Sequence, residues 1–164
     1  MDYRKEYEKW LASPALSEDE RAELRALEGN DKEIKARFYG PLEFGTAGLR
    51  GTMYTGLHNM NRHVIRWATQ GFANVIRAEG TEAMQKGIAV CMDCRNHSAE
   101  FARETACVMA ANGIHVRLFE SLRPTPELSF AVREYGCQAG VNVTASHNPK
   151  EYNGYKVYWA DGKG

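Results

Sequence analysis

The segment richest in reactive side chains is Val143-Thr-Ala-Ser-His-Asn-Pro-Lys150, in which strand-forming residues lead into Ser146. Ligands of open α/β sheets bind outside the carboxyl ends of strands, and Ser146 lies at such an end. A serine hydroxyl becomes a good nucleophile only when a base takes its proton or a cation stabilises the developing charge. His147 and Lys156 are the nearby candidates for these roles. The alternative interpretation is a polar turn after a core strand, with His147 simply solvated.

A serine-hydrolase mechanism has little support in this segment. The nucleophile of that class lies in a Gly-x-Ser-x-Gly turn, whereas Ser146 has Thr144 and Asn148 two residues away on either side. We therefore do not expect a catalytic triad built on Ser146.

A glycine-rich segment, Phe44-Gly-Thr-Ala-Gly-Leu-Arg-Gly51, forms a second cluster. Its three glycines allow the backbone to approach a ligand closely, and backbone amides together with Arg50 suit a phosphate or a phosphorylated serine. The segment matches neither a P-loop nor a dinucleotide-binding fingerprint. Without further information, a flexible surface turn is the alternative interpretation.

Three shorter motifs carry weaker signals. Arg123-Pro-Thr-Pro126 is stiffened by its prolines, and we interpret it as a structural connector after a strand. In Asp93-Cys-Arg-Asn-His-Ser98, the Asp93–Arg95 pair could order a loop and Ser98 is expected to cap a helix. The Cys91-x-x-Cys94 pair lacks the partners of a zinc site, so the cysteines are predicted to be reduced structural thiols.

The segment before Gly40 is predicted to be a helical extension, residues 1–40. Apolar residues at helical spacing indicate a helix over residues 3–12, and Pro14 ends it. A capping box, Ser17-x-x-Glu20, begins a second helix that stops at Gly29, and Asn30 caps a third.

Residues 41–164 are predicted to form one domain in which helices and strands alternate. The expected helices cover residues 61–78, 98–112 and 126–135, and the expected strands cover 87–92, 114–119, 139–145 and 155–159. This order indicates an α/β fold in three layers, with a mostly parallel mixed sheet of about four strands between helices. Residues 44–56 are expected to be a loop or a strand loosened by glycines.

Composition and charge exclude several classes of protein. The chain of 164 residues is 43% hydrophobic, with 21 basic and 21 acidic side chains. A net charge of zero lacks the electrostatic footprint of a nucleic-acid-binding protein. No apolar stretch approaches the ~18 residues that a membrane span needs, and the first residues lack the apolar core of a signal peptide. We therefore expect a cytoplasmic protein with no nucleic-acid or membrane partner.

Taken together, the motifs resemble those of the α-D-phosphohexomutases, the phosphoglucomutase/phosphomannomutase family. Thr144-Ala-Ser-His-Asn-Pro149 is similar to the family's phosphoserine loop, and Phe44–Gly51 to its arginine-bearing loop. Arg123-Pro-Thr-Pro126 and Asn153-Gly-Tyr-Lys-Val157 match in order and spacing. The helical extension resembles the subgroup of bacterial phosphoglucomutases and animal phosphoglucomutase/phosphopentomutase enzymes.

The resemblance implies a role for each matching residue. Ser146 would carry the phosphoryl group, and its phosphate would give one oxygen to Mg²⁺. Arg50 would face the phosphate, Lys156 would act in proton transfer, and His147 would shape the serine loop or assist transfer. Thr46 and Asn148, with Arg50 and Lys156, would bind substrate or phosphate. The family reaction interconverts hexose 1-phosphate and 6-phosphate, with glucose 1,6-bisphosphate as intermediate and activator.

The resemblance also implies that later domains are missing, because family enzymes have four domains and this chain matches the first. The metal-binding aspartate loop, the sugar-reading loop and the loop for the distal phosphate are absent from the sequence. We therefore expect a truncated domain, inactive alone, with apolar surface exposed where the later domains would dock. Phosphopentomutase, phosphomannomutase and a non-catalytic phosphate-binding module remain alternatives.

Overall fold

A computed structural model describes all residues, 1–164. It contains seven helices and five strands: α1 (Tyr3–Leu11), α2 (Glu18–Arg25), α3 (Asp31–Phe38), β1 (Leu49–Thr52), α4 (Arg62–Ala78), α5 (Thr81–Lys86), β2 (Ile88–Met92), α6 (Ser98–Ala111), β3 (Val116–Leu118), α7 (Thr125–Glu134), β4 (Ala139–Val143) and β5 (Tyr152–Trp159). None of these helices is long and apolar enough to cross a membrane.

The predicted α/β fold with a mixed sheet between helices is confirmed. The strand order is β1-β5-β4-β2-β3. The strands β4, β2 and β3 are parallel to one another, whereas β5 pairs antiparallel with both β4 and β1. The sheet has five strands rather than about four, because residues 49–52 of the glycine-rich segment form β1. Two of the four strand pairs are parallel and two are antiparallel. The parallel pairs lie in the half of the sheet formed by β4, β2 and β3.

The two faces of the sheet are covered by different helices. Alternate residues of β2 point to opposite faces, since side chains in a strand have a period of two. Ile88 and Val90 pack with α4 and α6 in the main core, whereas Ala89 and Cys91 pack with α7 in a smaller core. All five residues of β2 and of β4 are buried, as expected for strands covered on both faces.

The helical extension has a small core of its own. Its buried side chains pack against Leu57 of the following domain, and they are Leu16, Leu24, Leu27, Ile34 and Phe38. The capping box is present, with Ser17 and Glu20 bonding each other's backbone N–H groups. Glu20 also accepts hydrogen bonds from Arg62 and His63 of α4, so this carboxylate links the extension to the domain.

An apolar surface is exposed along α4 and the neighbouring end of β5. Trp67 and Val75 of α4 are exposed, and Phe44 is exposed beside them. These side chains line a groove together with Leu42, Leu49, Val64, Ala68, Phe72 and Val157. That later domains would dock on this groove stays a prediction.

The four cysteines are all unpaired in the structure, but they differ in exposure. Cys91 and Cys137 are buried, and burial raises the pKa of the Cys91 thiol to about 12. Cys94 and Cys107 are exposed. The prediction of structural thiols therefore describes the first pair, whereas the second pair lies at the surface.

Gly154 in β5 is tightly enclosed by backbone. A Cβ at this position would lie 2.4 Å from the carbonyl oxygen of Thr144 and 2.7 Å from that of Leu49. Both distances are well inside van der Waals contact, and neither atom belongs to a flexible side chain. Gly71 offers the opposite environment, because it is exposed in α4 and a Cβ there would meet nothing within 4 Å.

These two glycines make a matched pair for a stability measurement. We expect Gly154→Ala to lower the free energy of unfolding by about 1–3 kcal/mol, since an overpacked backbone must shift. Gly71→Ala should raise it by about 0.5–1 kcal/mol, because alanine loses less entropy in a helix. Urea denaturation of both variants tests this, and equal stability of the two variants would contradict the packing described here.

Candidate active site

Ser146 lies on an exposed loop three residues beyond the end of β4. Thr144 and Ala145 are buried, and Ser146 is the first exposed residue of the loop. Its backbone N–H donates to Thr144 Oγ1 at 3.0 Å, and its φ of 57° lies in the left-handed region. A non-glycine residue in that region is uncommon and costs of order 1 kcal/mol or more. The surrounding contacts therefore hold this serine in a strained position with its hydroxyl outward.

Arg95 supplies most of the contacts that hold the serine loop. Its guanidinium donates hydrogen bonds to four backbone carbonyl oxygens, over distances of 2.6–3.0 Å. The accepting residues are Ser146, Asn148, Pro149 and Tyr152. A planar guanidinium offers several donors in a fixed geometry, which suits it to bind carbonyls that converge from one loop. The sequence indicated only that Arg95 could order a loop, and its partners lie more than 50 residues away.

A buried network in turn holds Arg95. Asp93 accepts hydrogen bonds from the Arg95 backbone N–H at 2.9 Å and from the Ser98 hydroxyl at 2.8 Å. The Ser98 oxygen also accepts from Asn153 Nδ2 at 2.9 Å. The expectation that Ser98 caps α6 is wrong, because His97 occupies the cap position with a φ of 62° and makes no capping hydrogen bond with its side chain. Ser98 is instead a buried link between the Arg95 loop and β5.

Arg50 reaches the serine loop from β1. Its Nη1 donates to Asn148 Oδ1 at 3.0 Å, which brings together two of the residues predicted to bind phosphate. Arg50 Nε has no hydrogen-bond partner and is inaccessible to solvent. Because Nε is shielded from solvent, an anion that binds at the loop of Ser146 would meet the guanidinium at its outer nitrogens.

Lys156 on β5 adds a second positive charge near Arg50. It is half-buried on β5, and burial together with the nearby charge of Arg50 lowers its pKa, while Asp93 acts in the opposite direction. The lysine makes no ion pair and no side-chain hydrogen bond within the chain. A lowered pKa brings an amine closer to the range in which it exchanges protons during a reaction.

The glycine-rich turn packs against the backbone of Lys156. Gly45 and Gly48 exchange backbone hydrogen bonds, and Gly48 adopts a φ of 91°. A Cβ at Gly48 would lie 2.5 Å from the carbonyl oxygen of Tyr155 and 3.1 Å from Lys156 Cα, so only glycine fits. Thr46 lies exposed in this turn and makes no side-chain hydrogen bond. No contact within the chain tests whether Thr46 binds phosphate, so this role stays a prediction.

His147 lies beside the serine without being fixed by other groups. Its Nδ1 is 3.4 Å from Ser146 Oγ, which is long for a hydrogen bond, and its side chain is exposed. The geometry therefore offers His147 as a neighbour of the hydroxyl and does not define it as a base for Ser146.

The residues near Ser146 fit an anion better than a metal ion. No group of three or more His, Cys, Asp and Glu side chains in the chain is arranged to hold a metal. The carboxylate of Asp93 is already occupied by Arg95 and Ser98. A hard cation such as Mg²⁺ prefers several oxygen ligands, so the serine loop could supply one of them through a phosphate and the remainder would lie elsewhere.

Several known proteins are similar to this chain in sequence. The human phosphopentomutase is 43% identical over 141 residues, and the phosphoglucomutase of Staphylococcus aureus (strain USA300) is 42% identical over 133 residues. These alignments cover 82% and 81% of this chain but only 23% and 24% of the relatives. The chain therefore spans about a quarter of their length.

Solved structures show the same relationship. A crystal structure of a protein described as a phosphomannomutase from Thermus thermophilus superposes with a TM-score of 0.67 at 32% identity. The match covers 75% of this chain and 26% of that one. Residues 41–164 match the family described as phosphoglucomutase/phosphomannomutase, alpha/beta/alpha domain I. This chain accordingly belongs to the phosphoglucomutase/phosphomannomutase family, in which it corresponds to domain I.

Proposed function

We propose that this chain is the phosphoserine-bearing first domain of a mutase that interconverts hexose 1-phosphate and hexose 6-phosphate through a bisphosphate. The observation that carries the proposal is the exposed Ser146 hydroxyl on a loop bound by Arg50 through Asn148. The named relatives support the reaction class, because they are mutases of phosphorylated sugars. The rest of the cycle requires groups outside this chain, so the chain alone does not complete it.

The transfer step exchanges one P–O bond for another. A hydroxyl oxygen of the sugar phosphate attacks the phosphorus on Ser146, and the bond between phosphorus and Ser146 Oγ breaks. The attacking hydroxyl gives up its proton, and Ser146 Oγ takes one. The resulting bisphosphate turns around and returns its other phosphoryl group to Ser146 by the reverse exchange. Such reactions depend chiefly on positioning and charge neutralisation.

The cations at the sheet edge have separate roles in this proposal. Arg50 faces the phosphate, and its guanidinium already lies against the serine loop through Asn148. Lys156 exchanges the proton, since its lowered pKa makes the ammonium a better acid than an exposed lysine. His147 shapes the serine loop or assists proton transfer, and Thr46 binds phosphate from the glycine-rich turn.

Mg²⁺ would be held through one oxygen of the Ser146 phosphate, and the protein ligands that complete its shell are not in this chain. Bound there, the cation would neutralise charge on the transferring group. Glucose 1,6-bisphosphate is the proposed activator, because it can place a phosphoryl group on an empty Ser146.

The relatives point to two classes of sugar phosphate. One relative is a phosphopentomutase and another is a phosphoglucomutase, with nearly equal identity to this chain. The residues at the sheet edge recognise phosphate and contain no obvious sugar-binding set. We propose hexose phosphate as the substrate class, with pentose phosphate as the alternative. The proposed setting is the cytoplasm, in keeping with four unpaired cysteines.

Incubation with glucose 1,6-bisphosphate tests the central role of Ser146. With the later domains that the proposal requires and Mg²⁺ present, we expect the wild-type chain to gain one phosphoryl group and Ser146→Ala to gain none, as read by intact mass. Ser121→Ala is the control, because it removes another exposed hydroxyl near the sheet. Equal phosphorylation of the wild type and Ser146→Ala would place the phosphoryl group elsewhere. Binding of glucose 1,6-bisphosphate without any transfer would favour the non-catalytic phosphate-binding module.

Replacing Arg95 tests whether the position of the serine loop matters for transfer. Arg95→Lys keeps the charge but loses the planar donors, so we expect phosphorylation of Ser146 to slow by roughly tenfold to a hundredfold. Amide hydrogen exchange in residues 144–152 should become faster at the same time.

Arg103→Lys is the matched control, because Arg103 is an exposed arginine of α6. This variant should phosphorylate at the wild-type rate. Unchanged amide exchange and unchanged phosphorylation in Arg95→Lys would show that the loop holds its shape without the guanidinium.

A further inference from the structure

Asn142 is a buried polar residue in the middle of β4, with valines on both sides. Its side chain is 1% exposed, and its Nδ2 donates to Thr125 Oγ1 at 2.7 Å. Its Oδ1 has no hydrogen-bond partner and is inaccessible to solvent. Buried amide oxygens are nearly always paired, so an unpaired one points to a donor that arrives from a neighbouring group.

The residue directly opposite Asn142 in the ladder is Lys156. Opposite residues of an antiparallel pair project from the same face, with Cβ atoms roughly 4.5–5.5 Å apart. The Lys156 side chain makes no hydrogen bond or ion pair within the chain. An ammonium without an acceptor and an amide oxygen without a donor therefore belong to directly opposite residues of neighbouring strands.

The other groups around Lys156 do not provide an acceptor. Arg50 approaches from β1 and is itself a cation, and the carboxylate of Asp93, beyond β2, is engaged by Arg95 and Ser98. On the side of α7 the group that meets Asn142 is the neutral hydroxyl of Thr125. On this face the Asn142 amide oxygen is a buried acceptor that has no partner.

Thr125 is well suited to fix the orientation of that amide. It is the first residue of α7, between Pro124 and Pro126 of the Arg123-Pro-Thr-Pro126 motif. Proline fixes φ, so the backbone on both sides of the hydroxyl is restricted. The motif therefore orients the Asn142 amide in addition to connecting β3 to α7.

We propose that Asn142, oriented by Thr125, is a positioning residue that accepts a hydrogen bond from the Lys156 ammonium and holds it beside the serine loop between transfers. The inference rests on the proposed role of Lys156 in proton exchange at Ser146. The flexible stem of a lysine allows its ammonium to leave Asn142 for a phosphate oxygen when Ser146 is phosphorylated. Rotation about the same stem brings the ammonium to Asn142 Oδ1, so that the amide gives the amine a defined place when no anion is present.

Solvent exchange of the Lys156 ammonium hydrogens, measured by ¹⁵N NMR, tests the proposal. The measurement uses the Ser146→Ala chain, so that no phosphate competes for the ammonium, and Lys156→Arg assigns the signal. Adding Thr125→Val should accelerate the exchange about fivefold, the factor that one net hydrogen bond contributes. Thr125→Ser restores the hydroxyl and should restore slow exchange.

Two further variants separate positioning from general damage to the fold. Ser129→Ala removes another hydrogen-bonded hydroxyl of α7, which donates to the Gly162 carbonyl, and should leave the Lys156 exchange unchanged. Asn142→Ala removes the acceptor itself and should match Thr125→Val. Slow, wild-type exchange in both Thr125→Val and Asn142→Ala would overturn the proposal.

Phosphorylation of Ser146 is read separately, by intact mass in chains that retain the serine. Faster ammonium exchange in Thr125→Val without any phosphate on Ser146 would contradict the proposed function and support the hydrogen bond from Lys156 to Asn142. Phosphorylated Ser146 with unchanged exchange would overturn the positioning role and leave the proposed function standing.

Discussion

The hydrogen bonds from Arg95 to four carbonyl oxygens are the interaction on which the candidate site depends. A loop that turns through the left-handed region at Ser146 has little reason to keep one shape by itself, because the position is strained. Charge-assisted hydrogen bonds are stronger than neutral ones, and four of them converge from one side chain. Asp93 and Ser98 then connect this arginine to Asn153 of β5, so that the loop and the sheet form one rigid unit.

The sheet explains why cations from distant parts of the sequence meet at this loop. Arg50 on β1 lies opposite Gly154, two residues before Lys156 on β5, and β1 ends and β5 begins near the loop that follows β4. Gly154 lets the backbones approach, since it has carbonyl oxygens close on two sides. Two cations this close repel each other, and part of that repulsion appears as the lowered pKa of Lys156. An anion bound between them would relieve it, which is the physical basis for expecting phosphate there.

The sequence was sufficient to predict the elements whose patterns are local. The capping box at Ser17, the long amphipathic helix after Asn61 and the apolar β2 all have short-range signals, and the structure contains each of them. The strand β1 was only an alternative interpretation of the glycine-rich segment, because four residues including a glycine have little strand preference without β5 beside them. Ser98 was misinterpreted as a cap because its two real partners lie on other elements. The residues Ser146 and Arg50 could be named from motifs, whereas the bonds made by Arg95 and the unpaired oxygen of Asn142 depend on distant contacts that no local pattern encodes.

The antiparallel pairing of β1 with β5 has a consequence for how the protein is made. The arginine-bearing strand leaves the ribosome early, and its only neighbour in the sheet follows about a hundred residues later. Because long-range pairing closes a large loop, it comes late in folding. The helices and the three parallel strands between these two can assemble first as chain emerges. The corner that contains Arg50 and Lys156 is therefore completed only when β5 has been synthesised, so a nascent polypeptide lacks the candidate site until translation has passed that strand.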